Sequence, residues 1–210
     1  IGTTPDNPEK VILFTSRDSK FYRIFESTNS GDNFTIKTAA GISENDGQGW
    51  YNLDVVIDPA DENIMYSGMV SFYKSTDGGS TWTRQAGVYA ADQHIFEFSP
   101  QTHRLFIGND AGIWFSDNGS DYTYSSNGLN ITEIYHMDVA AQNASHIIIG
   151  NQDAGTFVTT GGPSYRCIGG DGMTSKIDYL DNNYIYGSWQ NGNVLRSVNG
   201  IEPGPDFAMI

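Results

Sequence analysis

The chain has 210 residues with 11 basic and 25 acidic side chains, a formal net charge of −14 and a pI near 4.3. That balance argues against nucleic acid, whose binding depends on neutralising phosphates, and it suits solubility, cations or neutral polar ligands. The longest apolar runs are four or five residues, far short of a membrane span of about 20, and the single cysteine, Cys167, excludes a disulfide scaffold. Ile1 opens the chain with no signal-peptide core behind it, so a processed product is the expectation.

In chain order, short β-branched and aromatic runs alternate with Gly/Asn/Asp/Ser clusters, and no stretch carries a helical stripe. The first strand is expected at residues 11–14. Strands then come in fours: 53–57, 64–67, 71–74 and 83–86; next 95–98, 105–107, 113–115 and 122–124; next 134–139, 147–149, 156–158 and 165–168. A last set, 175–179, 184–186 and 194–196, runs into a tail read as loop. Pro59, Pro100 and Asp181 fall in the first turn of their sets, as turn chemistry requires.

A motif recurs between the third and fourth strands. Ser27-x-Asn29-x-Gly31-x-x-Phe34 and Ser75-x-Asp77-x-Gly79-x-x-Trp82 share the form Ser-x-Asp/Asn-x-Gly-x-x-aromatic. Ser116, Asn118 and Tyr122 carry a copy one residue shorter, Thr159–Tyr165 a decayed one, and Arg196–Gly200 the start of a fifth. A spacing of about 40 residues matches four-stranded propeller blades. The Asx oxygen accepts turn N–H groups, glycine supplies positive φ, and the aromatic ring packs beneath. Asp77 is therefore read as structural.

The fold expected is all-β, a propeller of about four and a half four-stranded blades. It would be one domain over residues 1–210, with repeats near 1–50, 51–90, 91–130, 131–170 and 171–210. Either the strand at 11–14 completes the last blade of a five-bladed ring, or the chain is a piece of a larger propeller; the second is the expectation.

An up-and-down meander puts the motif turns at one end of each sheet and the second-to-third and fourth-to-first loops at the other. Six polar, Gly-rich loops then share one face. They carry Trp50, Asp92, Gln93, His94, Asp110, Gln152, Asp153, Asp171, Trp189 and Gln190. Carboxylates, amides and indoles suit a polyol, which needs bidentate hydrogen bonds and a flat apolar platform. Four carboxylates would also suit calcium, and the plain alternative is that these residues only close their own loops.

These loops resemble those of Asp-box (BNR-repeat) propellers, relatives of the sialidase, xyloglucanase and sortilin propellers, and among them large secreted glycosyl-hydrolase-like proteins of Bacteroidetes. The residues carrying the resemblance are Gly-Gln-Gly-Trp-Tyr (47–51), Lys-Ser-Thr-Asp-Gly-Gly-Ser-Thr-Trp (74–82), Ala-Asp-Gln-His (91–94), Gly-Asn-Asp-Ala-Gly-Ile (108–113), Asn-Gly-Leu-Asn-Ile-Thr (127–132), Gly-Asn-Gln-Asp-Ala-Gly-Thr (150–156) and Gly-Gly-Asp-Gly-Met (169–173). The resemblance implies an extracellular or cell-surface bacterial protein. In that family a histidine commonly precedes Asp-Gln-His by one more position, where this chain has Ala90.

Sialidase-like chemistry would need an arginine triad, and the six arginines are scattered, with Arg23 in Tyr-Arg-Ile-Phe and Arg84 and Arg196 beside motif turns. Xyloglucanase-like hydrolysis would need two carboxylates about 6.5–9.5 Å apart for inversion, which Asp92 with Asp153, or Asp110 with Asp171, would have to supply; Asp92 and Asp153 are the catalytic candidates. The leading expectation is a non-catalytic module that recognises polysaccharide or protein. A glycoside hydrolase on the same face is second, and a calcium-stabilised structural module third. The partner beyond a glycan or protein would be the remainder of a larger propeller. His94, His103, His136 and His146 show no metal spacing, His103 is read as solvated, His136 as a hydrogen-bonded core residue, and Cys167 as a buried inert thiol.

Overall fold

The computed structural model describes residues 1–88, 91–129, 131–201 and 204–210. Ala90 and Asn130, which belong to the motifs above, lie outside these. The described residues form five four-stranded antiparallel sheets, each wound in sequence order. The first holds β1 (Gly2–Thr3), β2 (Val11–Arg17), β3 (Lys20–Ser27) and β4 (Thr35–Lys37). The second holds β5 (Asp54–Asp58), β6 (Asp61–Gly68), β7 (Phe72–Ser75) and β8 (Thr83–Arg84). The third holds β9 (Gln93–Phe98), β10 (Leu105–Asn109), β11 (Gly112–Ser116) and β12 (Thr123–Tyr124). The fourth holds β13 (Ile134–Ala140), β14 (Asn143–Asn151), β15 (Gly155–Thr159) and β16 (Tyr165–Ile168). The fifth holds β17 (Ser175–Ile177), β18 (Ile185–Trp189), β19 (Asn193–Ser197) and β20 (Ala208–Met209). This is the all-β, blade-by-blade construction that the repeat predicts.

One alternative is excluded and one expectation corrected. The strand at 11–14 does not complete the last sheet: it is the second strand of the first, paired with β1 and β3. The tail is not all loop, because β20 pairs with β19 and closes the fifth sheet. Five whole sheets therefore replace four and a half. β1 and β20 are two residues long, too short to carry a hydrophobic alternation. β3, of eight residues, and β4, of three, are also not among the expected strands, although the Ser27–Phe34 motif marks the turn between them.

The chain divides into two compact units, Ile1–Gly128 and Leu129–Ile210. In the first, the core fills the spaces between successive sheets. Ile12, Ile24, Val55, Ile57, Met65 and Trp82 pack between sheets one and two, and Tyr66, Phe72, Phe96, Leu105, Ile107 and Trp114 between sheets two and three. In the second, Ile148, Val158, Ile177 and Ile185 do the same. First strands of neighbouring sheets are stitched by carboxylates within each unit. Asp54 of β5 accepts the Phe96 N–H at 2.7 Å, and Asp138 of β13 accepts the Ile177 N–H at 2.8 Å with Lys176 at 3.1 Å. Burial works against the Asp138 charge, but those donors hold its carboxyl below the usual range.

The recurring motif is a hydrogen-bonded staple. Ser75 Oγ donates to Asp77 Oδ1 (2.9 Å) and accepts the Gly79 N–H (2.9 Å). Asp77 Oδ1 also accepts the N–H groups of Ser80 (3.0 Å) and Thr81 (2.8 Å), and Oδ2 the Thr81 hydroxyl (2.7 Å). Trp82 Nε1 returns to the Gly79 carbonyl at 2.9 Å. Ser27 with Asn29, Gly31 and Asn33 repeats the pattern, as do Ser116 and Asn118 with Gly119, Ser120 and Asp121. The fifth copy is genuine: Ser197 bonds Asn199, whose Oδ1 accepts the Asp206 N–H at 3.0 Å. Its aromatic is Phe207, packed on the core of the second unit. Gly31 and Gly79 sit at φ 91° and 89°, a region that resists side chains. Trp82 is buried and Tyr122 packs on Phe72 with ring centroids 5.3 Å apart. Phe34, expected beneath its turn, is instead 39% exposed.

Asp77 illustrates the energetics. Backbone and hydroxyl bonds from Thr81, with those of Ser75 and Ser80, pull its carboxyl from 3.8 down to about 2. A depressed folded-state value stabilises the fold above the unfolded value and is lost as pH falls through the folded one. Asp77→Ala should cost about 1–2 kcal/mol, lowering Tm by roughly 2–4 °C per kcal/mol. Thermal unfolding across pH should find this deficit constant near neutrality and shrinking between pH 3.8 and about 2.

Candidate functional site

In a meander the staple turns lie at one end of the sheet and the loops after the second and fourth strands at the other. In the first unit these loops contact one another. The Gly49 N–H donates to Ser19 O (2.9 Å), linking the loop after β4 to the β2–β3 hairpin. The buried Asp46 accepts the Ser71 N–H through both oxygens, at 3.1 and 3.3 Å, tying that loop to the one between β6 and β7. Burial raises its pKa, against the pull of these bonds and the Tyr73 hydroxyl.

Asp92 stands where this lattice reaches β9. The N–H groups of Asp92 and Gln93 donate to Val70 O (3.1 Å) and Met69 O (2.6 Å), and Asp92 adopts φ 62°. Gly68 permits the approach, since a Cβ there would lie 2.7 Å from the Gln93 side chain. Asp92 Oδ1 accepts Gln48 Nε2 at 2.9 Å and Asn52 Nδ2 at 3.4 Å. Its carboxyl also lies within hydrogen-bonding reach of Asp110. Asp110 Oδ1 in turn meets His94 Nε2 at 2.7 Å. The His94 ring takes the edge of Tyr51 at 5.2 Å, and Tyr51 lies 5.4 Å from Trp50. Trp50 is 72% exposed and Tyr51 55%.

This cluster brings together four of the expected residues: Trp50, Asp92, His94 and Asp110. Gln93 faces inward instead. It is 1% exposed and accepts Asn109 Nδ2 at 3.5 Å, so it supports the loop rather than presenting an amide to a ligand. Sequence reasoning passed over Gln48, Tyr51 and Asn52, although they flank Trp50 in its own loop. Chemically, the row offers amide donors, two neighbouring carboxyl groups, an imidazole and an exposed indole. Burial, together with the neighbouring Asp110 charge, raises the Asp92 pKa despite the bond from Gln48.

The second unit gathers its own set. The Asp153 N–H donates to Asp171 Oδ1 at 2.9 Å, with Asp153 at φ 55°. The Gly172 N–H donates to Asn151 O at 2.8 Å and the Met173 N–H to Ser188 O at 2.9 Å. Gly150 and Gly172 let these segments touch: a Cβ on Gly150 would stand 2.4 Å from the Gly172 carbonyl oxygen. The Gln190 side chain covers Gly170, at 2.8 Å from the position of a Cβ. Trp189 ends β18 beside it, and Gln152 donates its backbone N–H to Glu133 O at 3.0 Å. Asp171 thus closes a loop here, as the plain alternative for these residues requires.

Among the described residues no three His, Cys, Asp or Glu side chains gather as a bound cation would need. His103 is exposed, as expected beside a turn, and its Nε2 also pairs with Asp58 at 2.9 Å. His136 accepts the Ser175 N–H at 3.4 Å, but it lies on an exposed strand rather than in a core. Cys167 donates to Thr156 O at 3.2 Å, and burial pushes its thiol up to about 12, so it is inert at neutral pH.

No protein-family model matches the chain, and no curated protein sequence does. Among solved structures it is similar to a GH74 enzyme of Niastella koreensis (19% identity, TM-score 0.46, covering 99% of this chain and 37% of that one). It is similar to the GH74 xyloglucanase of Xanthomonas campestris (15% identity, TM-score 0.47, 100% and 37%) and to YCF48 bound to D1 peptide (9% identity, TM-score 0.37, 94% and 67%). The chain spans about a third of the length of the two GH74 proteins.

The Asp92–Asp110 contact has a direct readout. Carboxyl carbon shifts followed by NMR should give Asp92 a midpoint above 3.8. In Asp110→Asn it should fall, because the neighbouring charge is gone. An unshifted midpoint in Asp110→Asn would mean that the two carboxyls do not interact.

Proposed function

We propose that the loop face of the first unit is a glycan-recognition surface, with Trp50 as its platform and Asp92, Asp110, His94 and Gln48 as its hydrogen-bonding row. The observation that carries this reading is the exposure of Trp50, at 72%, on a loop whose Asp46, Gln48 and Asn52 side chains are held in hydrogen bonds. An indole is usually found at least partly buried. One held in water beside fixed donors and acceptors supplies the flat apolar face and directional bonds that a sugar ring requires. Preorganisation by the Gln48–Asp92 and His94–Asp110 bonds lowers the ordering cost on binding. The same reading takes the protein to act outside the cell, where polysaccharide is available, as part of a larger propeller.

A second reading rests on a specific observation, the raised pKa of Asp92 beside Asp110. A carboxyl whose proton affinity is raised by burial is the kind of group that serves as general acid in glycoside hydrolysis. Under that reading Asp92 protonates the leaving oxygen, Asp110 raises its proton affinity, and a second carboxylate about 5–9.5 Å away acts as nucleophile or as base for the attacking water.

Binding to a panel of plant and microbial polysaccharides, followed by affinity electrophoresis, separates these. Trp50→Ala should weaken binding at least tenfold while leaving Tm within about 1 °C, as expected for an exposed side chain. Release of reducing ends that disappears in Asp92→Asn would establish the hydrolase instead. Binding that ignores Trp50 would remove the glycan platform.

A further inference from the structure

The chain carries a large acid excess, yet four of its 11 basic side chains line one concavity of the first sheet. Arg17, Lys20, Arg23 and Lys37 stand around Tyr22 in a cleft of about 640 Å³, against only two carboxylates, Asp18 and Glu44. That volume is the size of a ligand pocket.

The cations are not equivalent. Lys37 is occupied by Glu26 at 2.8 Å, and Lys20 reaches Asn45 at 3.5 Å. Among the described residues neither Arg17 nor Arg23 forms an ion pair. Both instead lie on the Tyr22 ring, with guanidinium carbons 4.0 and 5.0 Å from its centroid. A guanidinium stacked through its face keeps its N–H groups free at the edge, in a fork that matches a carboxylate or sulfate. Tyr22 therefore fixes two such forks in one cleft, and the surrounding acidic surface makes this the place where an anion meets least repulsion.

The position matters as much as the charge. Glu44 and Asn45 border the cleft at the start of the loop that carries Gln48 and Trp50, and the Gly49 N–H bonds Ser19 at the tip of the β2–β3 hairpin between Arg17 and Lys20. The loop that carries Trp50 is therefore bonded to the hairpin that carries Arg17 and Lys20.

We infer that this cleft is an anion subsite and that the ligand is an acidic glycan, one whose sugars carry carboxylate or sulfate groups. This rests on the glycan reading of the Trp50 platform and narrows it.

Calorimetric titration with oligogalacturonate, a sulfated oligosaccharide, a neutral cello-oligosaccharide and oligoglutamate tests the assignment. At least one acidic sugar should bind tenfold or more tightly than the neutral one, with affinity falling as salt rises; the better of the two identifies the anion. The double variant Arg17→Gln/Arg23→Gln should lose that preference with Tm unchanged, both side chains being exposed. The charge-conserving Arg17→Lys/Arg23→Lys should lose part of it, because the fork and the stacking go. Equal affinity for neutral and acidic sugars, or a preference that survives the Gln variant, overturns the subsite. If binding still depends on Trp50 in that case, the glycan platform stands without it. Oligoglutamate binding as tightly as the acidic sugars would overturn the glycan assignment. Loss of the acidic preference in the Gln variant, with no effect of Trp50→Ala, would leave the subsite and remove the platform.

Discussion

A tight hairpin between short strands aims several backbone N–H groups at one point, and some oxygen must meet them. In this protein a serine hydroxyl and an Asx side chain do so, in Ser27/Asn29, Ser75/Asp77, Ser116/Asn118 and Ser197/Asn199. With those donors satisfied, the third strand reverses into the fourth without tertiary help. Each sheet can then close as a four-stranded meander. Because the reversal is local, it recurs wherever the residues recur, and the fourth strand need be only two or three residues long.

The meander has a second consequence. With Ser/Asx staples at one end of four sheets and a Thr159 turn at that end of the remaining one, the longer loops must emerge at the opposite end, and local turns support only part of their backbone. The loops of the first unit support one another. Asp46 bridges to Ser71, Asp92 takes Gln48 and Asn52, and Gly68 opens space for Gln93. Much of the polarity on this face is therefore structural, and the residues left over are the informative ones. Trp50 closes nothing, and Asp92 and Asp110 hold two carboxyls in contact, which loop closure does not require.

Charge is distributed in the same uneven way. The acidic excess is spread over turns and loops, many of its carboxylates accepting backbone N–H groups, whereas Arg17 and Arg23 are spent on a tyrosine face rather than on ion pairs. In a protein so short of cations, two guanidinium groups gathered on one ring in one cleft, neither in an ion pair, are available to a ligand's charge.

The Ser-x-Asx-x-Gly-x-x-aromatic spacing and the β-branched runs between copies determined the all-β class, the blade period and most strands, because hairpin chemistry and alternation act over a few residues. The two-residue strands β1 and β20 escaped for the same reason: they are held by pairing with β2 and β19, not by their own pattern. The composition of the loops marked Trp50, Asp92, His94 and Asp110 but also Gln93, which the same composition could not distinguish as buried. Tertiary structure alone decided that Asp92 meets Asp110 and that Asp153 meets Asp171. It alone also decided that His103 finds Asp58 and that Arg17 and Arg23 share one ring. Those contacts join residues of different turns and strands, and their distances depend on how the strands pair and the sheets pack.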